Sequence, residues 1–384
     1  MKQRIEYLIK KYRFFQLFYK IVVGSFIKFI GLFVRLDNKM ILFTGQAGMI
    51  NDSALSIYNY IKEKPEYKSY KLIWGVKNPK LYPDHNVVKI DTLKYFKTAL
   101  KAKYWVATVN IERGLNFKKR KTVYLLTWHG IPIKTIGNAA KGRKDYNFSK
   151  INYFVVSSEY EVPIYIRDFK VKGKSIIRTG MPRNDDLYHK KGIEEIMEIK
   201  KNLGIDIHKK IILYAPTWRE STDYGKNYNI DIPVDFKKWE EELGDEYVLL
   251  LRAHPYTKDI LNVEFNNFIM DASNYPNVNN LLQICDVLIT DYSGIFFDAL
   301  PLSIRTLFFP YDLDEYKKNR GIYLNYNEVF KELICIDEND IIDKIKTEEA
   351  YDYSILSKFK NEYLTYGGNA TQECVELLFR EERK

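Results

Sequence analysis

Short runs of apolar residues, separated by polar turns and amphipathic stretches, recur from about residue 40 onward. In the first half "KMILFTG", "YKLIWGV", "NVVKI", "YWVATV", "TVYLLTW" and "YFVVSS" predict buried strands, with "NDSALSIYNYIKE" and "DTLKYFKTALKA" as helices between them. Asn51 or Asp52, and Asp91, are the expected N-caps of those helices. In the second half "KKIILYAPTW", "YVLLLRAHP", "CDVLITDYS" and "RTLFFP" continue the strand series. Strands apolar on both faces that alternate with helices imply parallel sheets covered by helices. Two such sheets, divided between residues 180 and 205, fit the pattern, and no internal repeat or low-complexity linker interrupts it.

A different pattern precedes this series. In "FFQLFYKIVVGSFIKFIGLFV", residues 14 to 34, the positions Arg13, Gln16, Lys20, Gly24, Lys28, Gly31 and Arg35 fall on one side of a helix, and Phe, Leu, Ile and Val fill the rest. A membrane span would bury Lys20 and Lys28 in hydrocarbon, whereas a helix lying in the membrane interface keeps them near headgroups. The competing reading is a helix that docks on the protein's own core.

Length changes the picture only by requiring two domains, since 384 residues exceed one ordinary core. Charge changes it more. The net charge is +10, but residues 1 to 40 carry nine Lys or Arg against Glu6 and Asp37, so the remaining 344 residues hold only +3. The basicity is an N-terminal arm, which argues for an anionic membrane surface and against nucleic acid as partner. Three scattered cysteines, Cys285, Cys335 and Cys374, lack the spacing of a disulfide framework or a zinc site and suit a reducing compartment.

Ligands of open α/β sheets bind beyond the carboxyl ends of the strands, so the residues that follow each apolar run are the candidates for chemistry. Trp128, His129 and Gly130 follow one run, with Lys134 close behind; Thr217 and Arg219 follow another; Arg252 and His254 a third; Asp291, Tyr292 and Ser293 a fourth, with Asp298 in the helix-like "GIFFDAL". Arg183 and Asp185 lie near the domain boundary in "GMPRND" as supporting candidates. The shared theme is a phosphorylated ligand. Arginine forks match phosphate oxygens, and Ser293 precedes a helix whose first N–H groups are free to bind an anion or to donate to a plain N-cap. The chain has no Walker loop, G-x-G-x-x-G or H-E-x-x-H, and no aspartate cluster for a divalent metal.

Five motifs in order, "TWHGIPIKTIG", "GMPRND", "YAPTWRE", "LRAHP" and "TDYSGIFFD", resemble the CDP-glycerol glycerophosphotransferases, which build teichoic acids and related cell-surface polymers; the resemblance runs from about residue 40 to residue 370. It implies an α/β GT-B fold of two Rossmann-like domains facing across a cleft: an acceptor domain over 39–180 and a CDP-alcohol donor domain over 181–384, preceded by the basic amphipathic arm over 1–38. It also implies transfer of glycerol phosphate from CDP-glycerol to a hydroxyl of a prenyl-diphosphate-linked saccharide, with release of CMP; no tightly bound cofactor is expected, and the sequence does not indicate a divalent metal. His129 and His254 match the family's catalytic histidines. Thr217, Arg219, Arg252, Asp291, Tyr292, Ser293 and Asp298 fall on its donor motifs, and Trp128, Gly130 and Lys134 on the acceptor side. The family usually carries a second serine where this chain has Gly294. A single-addition primase at the cytoplasmic face of the membrane is the expected form. Alternatives are a CDP-glycerol or CDP-ribitol polymerase, a sugar-nucleotide glycosyltransferase of the same fold, and a non-enzymatic basic membrane adaptor.

Overall fold

Two all-parallel sheets organise the chain, seen in a computed structural model that describes residues 13–141, 143–217, 219, 232–253 and 263–380. The first contains β1 (Asp37–Thr44), β2 (Lys71–Val76), β3 (Val87–Lys89), β4 (Ala102–Ala107), β5 (Val123–Leu126), β6 (Tyr153–Val155) and β7 (Ile176–Ile177) in the order β3-β2-β1-β4-β5-β6-β7. The second contains β8 (Lys210–Ala215), β9 (Tyr247–Leu251), β10 (Ile269–Asp271), β11 (Val287–Thr290) and β12 (Arg305–Phe308) in the order β10-β9-β8-β11-β12. Every ladder in both sheets is parallel. Both orders reverse direction once, between β1 and β4 and between β8 and β11, the doubly wound Rossmann arrangement.

Burial follows the apolar runs. Ile41, Phe43, Trp74, Tyr104, Val106 and Leu125 pack one face of the first sheet against Ala54, Ile57, Tyr58 and Ile61 of the helix Asp52–Glu63. The helix Leu93–Lys101 buries Tyr95, Phe96, Ala99 and Leu100, a helical spacing. Its N-cap is Thr92, whose Oγ1 accepts the Tyr95 N–H at 3.2 Å. Asp91, the expected cap, instead pairs with Arg113. Asn51 does stand at the N-cap position before Asp52, but its Oδ1 accepts from Gln46 and not from the helix. In the second sheet Ile212, Leu249, Ile289 and Leu307 pack against Trp239, while Ile211, Leu213, Leu250 and Leu288 fill the opposite side.

The chain forms two units that cut across the sequence differently from the expected 39–180 and 181–384. The first holds residues up to His129, Asp145–Asp185 and those from Asn369 onward; the second holds Gly130–Lys144 and Asp186–Gly368. The C-terminal return has a physical cause. Cys374, Val375, Leu378 and Phe379 are buried in the core of the first unit, with Phe379 stacked on Tyr67 at 4.8 Å. Asp185 caps that returning helix by accepting the Ala370 and Thr371 N–H groups at 2.9 and 2.7 Å.

The helix Arg13–Phe33 lies on the first unit through small residues. A Cβ on Gly24 would meet the Leu115 carbonyl oxygen at 2.8 Å, and one on Gly31 would meet Leu100 at 3.0 Å. Ile27 between them is buried, and Lys20 pairs with Asp145 at 3.7 Å. The glycine-bearing side, read from the sequence as the polar side of the helix, therefore faces the protein. The opposite side leaves Phe18, Ile21, Phe26, Phe29, Leu32 and Phe33 exposed, the last two at 79% and 77%. Among the described residues no helix is long and apolar enough to cross a membrane.

One buried carboxyl gives the fold a pH signature. Glu161 is fully buried and accepts hydrogen bonds from the Ser157 and Ser158 N–H groups and from the Tyr165 hydroxyl, but burial outweighs these and raises its pKa to about 7. A raised folded-state pKa means that its contribution is fully present below the unfolded carboxyl range and is lost as pH climbs towards 7. Over that window the loss amounts to roughly 3 kcal/mol. Glu161→Gln keeps an acceptor for Ser157 but cannot ionise, so its melting temperature will change less than the parent's between pH 5 and 8. Parallel melting curves for the two proteins would contradict this.

Candidate active site

At the end of β5 the chain makes a strained turn. Thr127 still donates its N–H to the Ala107 carbonyl, but Trp128 has φ +60°, a left-handed conformation that costs a bulky residue about 1–3 kcal/mol. The indole is held edge-on to Phe169 at 4.6 Å and lies 4.1 Å from the imidazole of His129, tilted by 32°. His129 is half-buried, and its Nδ1 stands 3.2 Å from the Thr108 carbonyl oxygen. A carbonyl can only accept, so Nδ1 carries the proton and Nε2 is the basic nitrogen. The strained tryptophan and the Thr108 carbonyl thus fix both the place and the tautomer of one imidazole.

Around this strand edge lie residues that motif reading passes over. The hydroxyls of Thr108, Ser157 and Ser158 are buried without a hydrogen-bond partner at the carboxyl ends of β4 and β6. Their signal in the sequence is the threonine near the end of "YWVATV" and the serine pair that ends "YFVVSS". A cavity lined by Gly45, Gly48, Gly75, Asn110 and Arg113 sits at the β1/β4 reversal, but its volume of about 20 Å³ matches a single water and is too small for a nucleotide.

In the second unit the candidates gather at the β8/β11 reversal. Asp291 is 2% exposed; its Oδ1 accepts from Thr217 N–H at 2.8 Å and from Tyr292 N–H at 2.6 Å, and its Oδ2 accepts from Arg219 Nη1 at 2.8 Å. Asp312 completes the network by taking Arg219 Nε at 2.6 Å, Arg219 Nη2 at 2.8 Å and the Tyr292 hydroxyl at 2.9 Å. Three tyrosine rings, Tyr292, Tyr311 and Tyr316, surround the guanidinium at 5.0 to 5.3 Å. Burial opposes the Arg219 charge, but Asp291 and Asp312 outweigh it and hold its pKa above the ordinary arginine range. Arg219, Asp291 and Tyr292 are therefore a buried frame, and the Arg219 fork expected to meet phosphate is engaged by two carboxylates. Sequence reasoning missed Asp312, which lies 93 positions from Arg219.

The other donor-motif residues take varied positions. Thr217 Oγ1 is buried with no hydrogen-bond partner. Ser293 is half-buried, and its Oγ accepts the Ile295 N–H at 3.3 Å, the first N–H of the short helix Ile295–Ala299, whose N-cap position is Gly294. Arg252 donates through Nη1 to the Ala272 and Tyr275 carbonyls at 2.7 and 2.9 Å, and burial holds its pKa below the ordinary range. Asp298 is buried in the short helix. His254 lies outside the described residues. No group of three or more His, Cys, Asp or Glu able to hold a metal occurs among the described residues.

Four candidates remain. Gly130 and Lys134, read as acceptor-side, belong to the second unit, because the chain crosses to it immediately after His129. Arg183 pairs with Asp52 at 3.0 Å, both side chains largely buried, and Asp185 caps the C-terminal helix. Both hold the junction in "GMPRND" together within the first unit.

Removing Arg219 from this frame leaves two carboxylates uncompensated. Arg219→Ala will destabilise the protein by roughly 3–5 kcal/mol, and Arg219→Lys will not restore it, since an ammonium cannot make the paired bonds to Asp312. Thermal melting checks this; unchanged melting with weakened nucleotide binding would return Arg219 to direct phosphate contact.

Comparison with known proteins agrees with this geometry. Residues 26–380 match the family described as CDP-Glycerol:Poly(glycerophosphate) glycerophosphotransferase. The chain is 32% identical to the teichoic acid poly(glycerol phosphate) polymerase of Bacillus spizizenii over 374 residues, covering 91% of this chain and 94% of that one. It is 30% identical to the teichoic acid glycerol-phosphate transferase of Staphylococcus aureus over 387 residues, covering 94% and 98%. The solved structure of the wall teichoic acid polymerase TagF superposes with a TM-score of 0.83 at 29% identity, covering 100% of this chain and 97% of that one. The chain belongs to the CDP-glycerol:poly(glycerophosphate) glycerophosphotransferase family, and it is a CDP-glycerol glycerophosphotransferase of GT-B fold that serves teichoic acid biosynthesis.

Proposed function

We propose that this enzyme adds a single glycerol phosphate to a hydroxyl of a prenyl-diphosphate-linked saccharide, working as a primase at the cytoplasmic face of the membrane. The observation that carries the chemistry is the Nδ1 contact of His129 with the Thr108 carbonyl, which leaves Nε2 as the base. In this reading Nε2 takes the proton of the acceptor hydroxyl, the oxygen attacks the β-phosphorus of CDP-glycerol, the bond to the bridging oxygen breaks, and CMP departs as a phosphodiester forms. Arg252, Thr217 and Ser293 steady the pyrophosphate, and Arg219, Asp291 and Tyr292 hold them in place from behind. Asp298 is assigned to the donor side with them. His254 is proposed to steady the leaving CMP. Trp128 fixes the imidazole through its strained backbone. Such transfers depend chiefly on position and charge stabilisation.

The membrane part of the proposal rests on the exposed face of Phe18, Ile21, Phe26, Phe29, Leu32 and Phe33 and on the +7 charge of the first 40 residues. An apolar helix face of this width, close to basic side chains, suits the acyl boundary of an anionic leaflet, where a prenyl-linked acceptor is anchored. A second reading, polymerase, is favoured by one observation: the Bacillus spizizenii relative matched over 94% of its length is named a polymerase.

Incubation with CDP-glycerol and a prenyl-diphosphate disaccharide in anionic vesicles, followed by mass analysis, tests both. A primase yields one added unit, a ladder of units identifies a polymerase, and turnover of a UDP-sugar in preference to CDP-glycerol contradicts both. Replacing Phe29, Leu32 and Phe33 with serine will slow transfer to the vesicle acceptor and spare a soluble acceptor analogue. Equal loss with both acceptors would contradict the membrane role.

A further inference from the structure

Gly130–Lys144 is a strap of the second unit, pinned to the segment Arg320–Tyr323. Lys134 pairs antiparallel with Ile322, Thr135 N–H donates to the Gly321 carbonyl at 3.0 Å, and Tyr323 N–H donates to the Ile133 carbonyl at 2.9 Å. The Tyr323 hydroxyl closes a small ring with one residue, accepting from Ile136 N–H at 3.1 Å and donating to its carbonyl at 3.2 Å. Thr135 Oγ1 also donates to the Arg320 carbonyl. Gly321 has φ +80°, and a Cβ there would meet the Thr135 side chain at 2.9 Å, so only glycine fits under the strap.

The near end of the strap rests on the donor motif. The Ile131 carbonyl oxygen lies 3.1 Å from where a Cβ on Gly294 would sit, tighter than ordinary contact. Gly294 has φ −67°, an ordinary right-handed value, so backbone freedom does not account for glycine here; the approach of the strap does. Ile131, Pro132 and Ile133 are buried, and Ser293 immediately precedes the glycine they cover. The departure from the family's usual serine thus falls at a place where the strap touches the turn presenting Ser293.

We propose that Tyr323 and Gly321 are positioning residues for donor binding: they hold the strap so that the Ile131 carbonyl seats on Gly294 and fixes the turn that presents Ser293. This rests on the assignment of Ser293 to the donor pyrophosphate. Tyr323→Phe removes both bonds to Ile136 and leaves the ring. Calorimetric titration with CDP-glycerol should show its dissociation constant raised about tenfold, as a strap seated only about a tenth of the time implies, with the melting temperature lowered by only a few degrees. Gly294→Ala, pressing on the same carbonyl from the other side, should weaken binding in the same direction. The double variant should lose less than the product of the two single effects, because both act by moving one strap.

Ser293→Ala is the reference arm. Parent-like affinity there overturns the donor assignment, and the inference with it. Weakened binding in Ser293→Ala together with parent-like affinity in Tyr323→Phe overturns the positioning role alone, as do strictly multiplicative effects in the double variant. Thr135→Val, which removes one strap bond on the far side of the same pin, supplies the test should Tyr323→Phe fail to fold.

Discussion

Parallel hydrogen bonding between strands constrains everything else in this molecule. A parallel neighbour can be reached only by a crossover, so each strand is followed by a connection that leaves from its carboxyl end. All carboxyl ends of a sheet then emerge along one edge, where backbone polar groups are unpaired and side chains are presented by rigid elements. His129 follows β5, Thr108 follows β4 and Ser157 follows β6, so the first unit gathers an imidazole and buried hydroxyls without any of them being near in sequence. The second unit does the same with Thr217 after β8, Arg252 after β9 and Asp291 after β11.

That constraint explains what could be read from the chain. Strands of four or more contiguous apolar residues, such as "VYLL" and "YVLLL", announce themselves because both faces are buried. The two-residue β7 does not, since a run that short carries no period. His129 stands out in the sequence as a candidate because an imidazole after a buried run is hard to explain by packing. Its tautomer does not, because that depends on the Thr108 carbonyl one strand away.

Arginine was the harder case. A strand-end Arg looks the same in sequence whether its fork meets a phosphate or a carboxylate, and the carboxylates that engage Arg219 stand 72 and 93 residues distant. The N-terminal helix shows a similar limit. Its glycines share a side with Lys20 and Lys28, and the pattern alone gives no sign that Gly24 and Gly31 are there to let the helix approach Leu115 and Leu100. Gly294 and Gly321 likewise acquire meaning only from the strap that crosses them. In each case the missing information is a long-range contact, not a local propensity.

The account stands or falls on His129 as the base of the transfer. Single-turnover transfer by His129→Ala at saturating CDP-glycerol, with donor affinity measured on the same preparation, tests it most directly. General-base assistance is worth about 10²–10⁴ in rate, so the account predicts a loss of that size with donor affinity within a few-fold of the parent. Retention of more than a tenth of the parent rate, or a loss traced wholly to donor binding, would contradict it.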